Sequence, residues 1–381
     1  MLVQKIIVAY LEVLFINLHI FIEMKIGIVT QPLIANYGCF LQNFALQEVI
    51  KQLGHTPITI DYMPNMGVPR YILHIAKSLI CACIPGHKPS FRPFNVRRTF
   101  IFQQFLDDHL QVTSTVHRYS PSLVKKYHMN AVVTGSDQVW RPAFNHSLED
   151  MYLRFVRDKG IVKFSYAASF GVDVWEYDQK LEKKCRKWVQ NLNGVSVREY
   201  SGIKLCREHL GIDAMEVLDP TLLLNRSSYE RICNSVPVDS TSFVAVYVLE
   251  LTQELKDLVS ALSADLNMTV RICTANETAT LSIPEWLSMF RDASYIITDS
   301  FHGTVFSIIF QKEFISIGNK KAGLSRFHSL LSRFKLEDRL YVPGIGSGEL
   351  FNQPIHWDVV YDCLARLRKD SLFYLKKCIN K

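Results

Sequence analysis

From Met24 onward, short runs of consecutive apolar residues alternate with longer stretches whose apolar positions recur at helical spacing. Lys25–Thr30 predicts a buried strand. Cys39–Leu53 predicts a helix, with Phe40, Phe44, Leu46, Val49, Ile50 and Leu53 on its apolar positions and Gly54 closing it. Pro57–Asp61, Asn130–Thr134, Lys163–Ala167, Gly194–Val197 and Met215–Leu218 predict further strands. A second set follows, with strands at Ser242–Leu249, Met268–Cys273, Tyr295–Thr298 and Glu313–Ile317. Its helices are expected at Gln253–Leu266, Ile283–Ala293 and Gly303–Phe310. Ser282, with Pro284 in the first turn and Glu285 three residues on, is a helix-start signal. Apolar strands separated by helices are the pattern of parallel sheets covered on both faces. The expected fold class is therefore α/β, with two Rossmann-like, doubly wound domains facing a cleft. The expected boundaries are 24–225 and 241–355 for the two domains, 226–240 for the linker, and 356–381 for a terminal helix. Pro64, Pro69, Pro85, Pro89 and Pro93 break the rhythm and read as an excursion beside the first domain.

Residues 1–23 stand apart. Ile6–Ile22 is a mostly apolar run of 17 residues that carries Glu12, Asn17 and His19. It is shorter than the ~20 residues that cross a bilayer, and a charge in mid-run is costly there. An upstream extension from a misassigned start, a membrane-surface helix and a transmembrane anchor all fit it. Composition narrows the rest. The chain has 381 residues, 48% hydrophobic and 21% charged, which excludes a disordered or low-complexity protein. A net charge of +7 suits an anionic substrate or a membrane surface but gives no nucleic-acid signature. Nine cysteines with no C-x-x-C pattern read as reduced, cytoplasmic thiols, and nothing in their spacing implies a metal or other cofactor.

Four polar clusters interrupt the apolar pattern. The densest is Thr298–Thr304, where a strand ends in Asp299, Ser300, His302, Gly303 and Thr304 and a helix starts at once. Free N–H groups at such a turn receive anions. Ser300 and Thr304 would add hydroxyls, Gly303 would let backbone approach closely, and His302 can exchange a proton near neutral pH. In Thr134–Trp140, Gly135 and Ser136 could cradle an anion, while Asp137 fits either a cap or a group that accepts a substrate hydroxyl. Arg198 ends the strand before Glu199 and offers a planar fork for carboxylate or phosphate, although a surface Arg–Glu pair fits the same residues. Asn36–Gln42 follows the first strand without the glycines of a dinucleotide site, and Cys39 within it reads as packing.

Taken in order, NYGCFLQ, TGSDQVW, SYAASFG (Ser165–Gly171), SVRE (Ser196–Glu199), LDPTLLL (Leu218–Leu224), PEWL (Pro284–Leu287) and ITDSFHGTVFSIIF (Ile297–Phe310) resemble the polysaccharide pyruvyl transferase family over Met24–Leu331. The resemblance implies a fold like the GT-B glycosyltransferases. It also implies phosphoenolpyruvate as donor, and a ketal-linked pyruvate placed on a sugar of a surface polysaccharide or its lipid-linked precursor. The family's histidine falls on His302 and its arginine on Arg198. Members often carry a further arginine two residues before that histidine, where this chain has Ser300. Arg326, or Lys320 and Lys321, could take its place. As the ionisable base candidate of the densest cluster, His302 is expected to do the acid–base work, with Asp137 second. Substrate binding is expected from Arg198, Ser300, Gly303, Thr304, Gly135, Ser136, Asn36 and Arg326. A GT-B-like glycosyltransferase using a nucleotide sugar and a non-catalytic anion-binding protein are the alternatives. A cytoplasmic enzyme at the inner face of the membrane is the expected setting.

Overall fold

The computed structural model describes residues 23–64, 98–145, 147–275, 281–318, 323–342 and 353–381. The run Ile6–Ile22, the proline-rich excursion after Pro64, and Lys320 with Lys321 lie outside the described residues. Among those described, no helix is long and apolar enough to cross a membrane.

Two parallel sheets organise the chain. The first contains β1 (Lys25–Val29), β2 (Thr56–Thr59), β3 (Ala131–Thr134) and β4 (Val162–Ser165) in the order β2-β1-β3-β4. The pair β5 (Ser196–Val197) and β6 (Met215–Glu216) extends its edge through bridges Phe164–Gly194 and Ala168–Val197. The second contains β7 (Phe243–Val248), β8 (Thr269–Thr274), β9 (Tyr295–Thr298), β10 (Glu313–Ile317) and β11 (Leu340–Tyr341) in the order β11-β10-β9-β7-β8. Both halves repeat one winding. The chain moves from β1 to β2 and then to the far side of β1, and from β7 to β8 and then to the far side of β7. The strand order therefore reverses at β1/β3 and at β7/β9, the places where open α/β sheets leave a crevice beyond their strands. This is the two-sheet Rossmann-like architecture expected from the sequence.

Helix α1 (Tyr37–Gln52) shows how the halves join. It starts two residues earlier than its apolar spacing suggests, because Asn36 caps it by accepting the Cys39 N–H at 3.1 Å. Thirteen of its sixteen residues are buried, so it is covered on nearly every side. Inside, the Gln47 amide donates to Thr59 Oγ1 and to the Gln111 carbonyl, each at 2.8 Å, whereas Gln42 Oε1 and Asn43 Nδ2 have no hydrogen-bond partner among the described residues. At its start Tyr37 stacks on Trp286 of α2 (Ile283–Asp292), with ring centroids 5.1 Å apart, and donates to the Leu281 carbonyl. Burial of one such aromatic side chain contributes about 4–6 kcal/mol before entropy is counted. One continuous hydrophobic core thus runs from Ile28 and Phe40 to Trp286 and Phe306. A long helix, α4 (Trp357–Ile379), recrosses both halves. Residues 226–240 carry the helix Arg226–Cys233, which buries Tyr229 against Phe306.

Candidate active site

Asp219 follows β6 and is fully buried. Its Oδ1 accepts the Thr221 N–H and hydroxyl at 3.0 and 2.6 Å. Its Oδ2 accepts the Ser136 hydroxyl at 2.7 Å and Arg198 Nη1 at 3.0 Å, and lies 3.6 Å from His302 Nε2. Ser136, Arg198, Asp219 and His302 follow the carboxyl ends of β3, β5, β6 and β9 respectively. The carboxyl ends of strands from both sheets therefore meet at one carboxylate. Burial alone would raise the pKa of Asp219, but His302, Arg198 and Thr221 hold it well below the ordinary carboxylate range.

His302 lies on the first turn of α3 (Phe301–Ile309). Ser300 caps that helix by accepting the Gly303 N–H, which is why the helix begins at Phe301 rather than at Gly303. The imidazole side chain is 10% exposed, and its Nε2 has no hydrogen-bond partner among the described residues. Gly38 of α1 packs against the ring so closely that a β-carbon there would fall 2.0 Å from Nδ1.

Arg198 is placed differently from the free strand-end fork expected of it. Its side chain is 1% exposed, its guanidinium lies 4.2 Å from the Phe301 ring centroid, and Nη1 is committed to Asp219. Nε and Nη2 are buried without a hydrogen-bond partner among the described residues, Nε being 4.0 Å from Glu199 Oε2. Arg326 is also buried, with its guanidinium 6.0 Å from the same ring. Burial and repulsion from Arg198 lower the pKa of Arg326 to about 10. Glu199 accepts the Ser169 hydroxyl and the Phe170 N–H, and burial raises its pKa.

Four residues expected to bind substrate have groups engaged within the fold. The Gly135 N–H is given to the Val29 carbonyl, and the Ser136 hydroxyl to Asp219. The space at Gly303 is taken by Thr298, whose Oγ1 would lie 2.1 Å from a β-carbon there. The Thr304 hydroxyl is shared between the Ser300 carbonyl and Ser316. Asn36 and Asp137 lie apart from the histidine, in a pocket beyond β1 and β3. Three contributors escaped the sequence reading as site residues, namely Asp219, Glu199 and Gly38, although each sits inside a quoted motif. A buried Asp-Pro directly after an apolar strand was the signal available for Asp219.

Among solved structures, the chain is similar to a glycosyltransferase from Rickettsia africae, with a TM-score of 0.44 and 12% identity over 94% of each chain. It is similar also to UDP-N-acetylglucosamine 2-epimerase from Rickettsia bellii, with a TM-score of 0.44 and 12% identity over 93% of this chain and 98% of that one. The UDP-GlcNAc 2-epimerase of Methanocaldococcus jannaschii gives a TM-score of 0.43 and 12% identity over 91% and 93%. No curated protein matches the chain. The family model described as polysaccharide pyruvyl transferase matches residues 36–321, from the cap of α1 past the His302 turn and α3. The chain belongs to the polysaccharide pyruvyl transferase family.

Proposed function

We propose that the protein transfers pyruvate from phosphoenolpyruvate, as a ketal, to a saccharide of a surface polysaccharide or its lipid-linked precursor, at the cytoplasmic face of the membrane. The observation that carries this reading is the pairing of Arg198 and Arg326 on one phenyl ring, Phe301, beside His302. Burial first, and repulsion between the two guanidiniums second, lower the pKa of Arg326. A ligand with a carboxylate and a phosphate would relieve the repulsion and supply acceptors to Arg198 Nε and Nη2. Each buried donor left unmatched costs about 1–3 kcal/mol.

In this reading a sugar hydroxyl adds to the enol carbon of the donor while the methylene carbon takes a proton, giving a methyl group. Phosphate then leaves, a second hydroxyl adds to the same carbon, and its proton departs with phosphate. His302 moves the proton at the methylene carbon. Asp219, 3.6 Å from Nε2, stabilises the imidazolium, and such proton transfer supplies ~10²–10⁴-fold in rate. Asp137 is the base for the attacking hydroxyl.

Nucleotide-sugar transfer fits less well. The crevice at the β7/β9 reversal, about 520 Å³, presents three carboxylates, Glu250, Glu254 and Asp299, on its described wall, which disfavours a diphosphate there. Incubation with phosphoenolpyruvate or nucleotide sugars and an acceptor extract separates the readings. Acceptor-dependent release of inorganic phosphate, lost in His302→Ala, supports pyruvyl transfer. Release of nucleoside diphosphate makes the protein a glycosyltransferase, and release of neither makes it a binding protein.

A further inference from the structure

The crevice at the other strand reversal, between β1 and β3, has a different chemistry. It encloses about 360 Å³, within the ~300–1,000 Å³ of small-molecule sites. Its wall combines aromatic rings (Tyr62, Tyr119, Phe144) with amides and a carboxylate (Asn36, Gln138, Asp137). Its described wall carries the Asp137 carboxylate, which disfavours an anion, while nearby Arg141 is paired with Glu176. A pyranose presents the complementary surface. Its ring has a face of C–H bonds that packs on the electron-rich face of an aromatic ring, and its rim of hydroxyls needs donors and acceptors.

Two local features prepare the crevice for such a ligand. Asp137 holds φ at +82°, a left-handed conformation that costs a residue with a β-carbon ~1–3 kcal/mol. The Val139 and Ser169 N–H groups fix it by donating to the Asp137 carbonyl at 2.7 and 3.0 Å. The kink sends Ser136 to Asp219 and leaves Asp137 on the crevice wall. Asp137 Oδ1 accepts the Gln138 N–H, and Oδ2 has no hydrogen-bond partner among the described residues. Phe144, in the short turn Pro142–Phe144, is 53% exposed, an aromatic ring left at the rim with Arg141 near its face.

The same two loops build both sites. The loop after β1 gives Asn36 to the crevice and leads into Gly38 beneath His302, and the loop after β3 gives Asp137 to the crevice and Ser136 to Asp219. We infer that the β1/β3 crevice binds the neutral saccharide acceptor, with Phe144 as its stacking platform and Asp137 Oδ2 as the acceptor for the reacting hydroxyl. This assignment rests on the pyruvyl-transfer reading for the identity of the reaction, but the binding of a neutral sugar can be measured without it.

Saturation-transfer NMR on the full-length protein, with the methyl glycosides of glucose, galactose, mannose and N-acetylglucosamine as probes, tests it. At least one glycoside should receive saturation, and Phe144→Ala should weaken its binding about 3–10-fold, the worth of one aromatic contact. Phe144→Trp should restore it. Phe144 is exposed, so its truncation should leave the fold intact, and a thermal melt on each variant checks this directly. Saturation of none of the four, or equal affinity in wild type and Phe144→Ala, overturns the assignment. Phosphoenolpyruvate binding is titrated on the same samples. Donor binding without glycoside binding sinks the crevice assignment alone, whereas glycoside binding that Phe144→Ala weakens, with no donor binding, sinks the pyruvyl-transfer reading and leaves the crevice a sugar site.

Discussion

The imidazole of His302 rests on Gly38, at a point where any side chain at position 38 would displace it. Alanine normally stabilises a helix over glycine by up to ~1 kcal/mol, and residue 38 lies in α1. Gly38→Ala should therefore keep a cooperative melt close to wild type while turnover falls by more than about 10²-fold through the misplaced acid–base group. Stability and activity move apart. Full activity in Gly38→Ala would show that the ring position is unimportant.

Asp219→Asn should do the reverse and damage the fold first. The substitution leaves Arg198 buried without its carboxylate, a loss of about 3–5 kcal/mol in chemical denaturation. The pH dependence follows from the lowered pKa. Ionised Asp219 contributes stability that is present above its ordinary value of 3.8 and is lost as pH falls below it. The acid limb of wild-type stability below about pH 4 should be shallower in the variant. An unchanged acid limb would assign acid lability to other carboxylates.

Arg198→Lys keeps the charge and loses the planar stack on Phe301 together with Nε and Nη2. Affinity for phosphoenolpyruvate should fall about 10-fold or more by calorimetry, with the melting temperature reduced only slightly. Equal affinity would reduce Arg198 to a partner of Asp219.

Asp299 gives an opposite pH signature. Burial lifts its pKa to about 6, so the stability it contributes is fully present below 3.8 and lost as pH rises through about 6. Asn can still accept the Leu249 N–H that Asp299 Oδ1 accepts at 2.7 Å. The melting temperature of Asp299→Asn relative to wild type should thus climb between pH 4 and pH 8. A difference that stays constant across that range would remove burial of Asp299 as a source of pH sensitivity.

The strands and most helices could be read from the chain because their signals are local. The capping box at Ser282 forms as its residues imply, with the Ser282 N–H donating to Glu285 Oε2 at 2.7 Å. Asp219 could not be read in this way. It meets Ser136 and His302 across 83 residues and Arg198 across 21, and no spacing rule links positions that only the sheets bring together. Helix α1 misleads for a related reason. Its spacing describes one buried face, whereas the second half of the chain covers the other and requires Gln42, Asn43 and Gln47 to find partners inside. Polar residues at a turn look alike in sequence whether they face a ligand or the interior, as Thr304 and Ser136 show.

Helix α4 also sets an order of events during synthesis. Tyr374 donates to the Ser165 carbonyl at the end of β4, 209 residues earlier. Ser371 accepts the N–H of Leu218, and Arg368 donates to the carbonyls of Leu222 and Leu224, so both sides of Asp219 are held by one late segment. A ribosome adding ~5–20 residues per second takes roughly 10–40 s to make the intervening chain. Throughout that interval the end of β4 lacks its bond from Tyr374 and the turn at Asp219 lacks its clamp. The nascent protein is therefore exposed to chaperones and proteases for as long as the second half takes to emerge, and its active site is among the last parts to set.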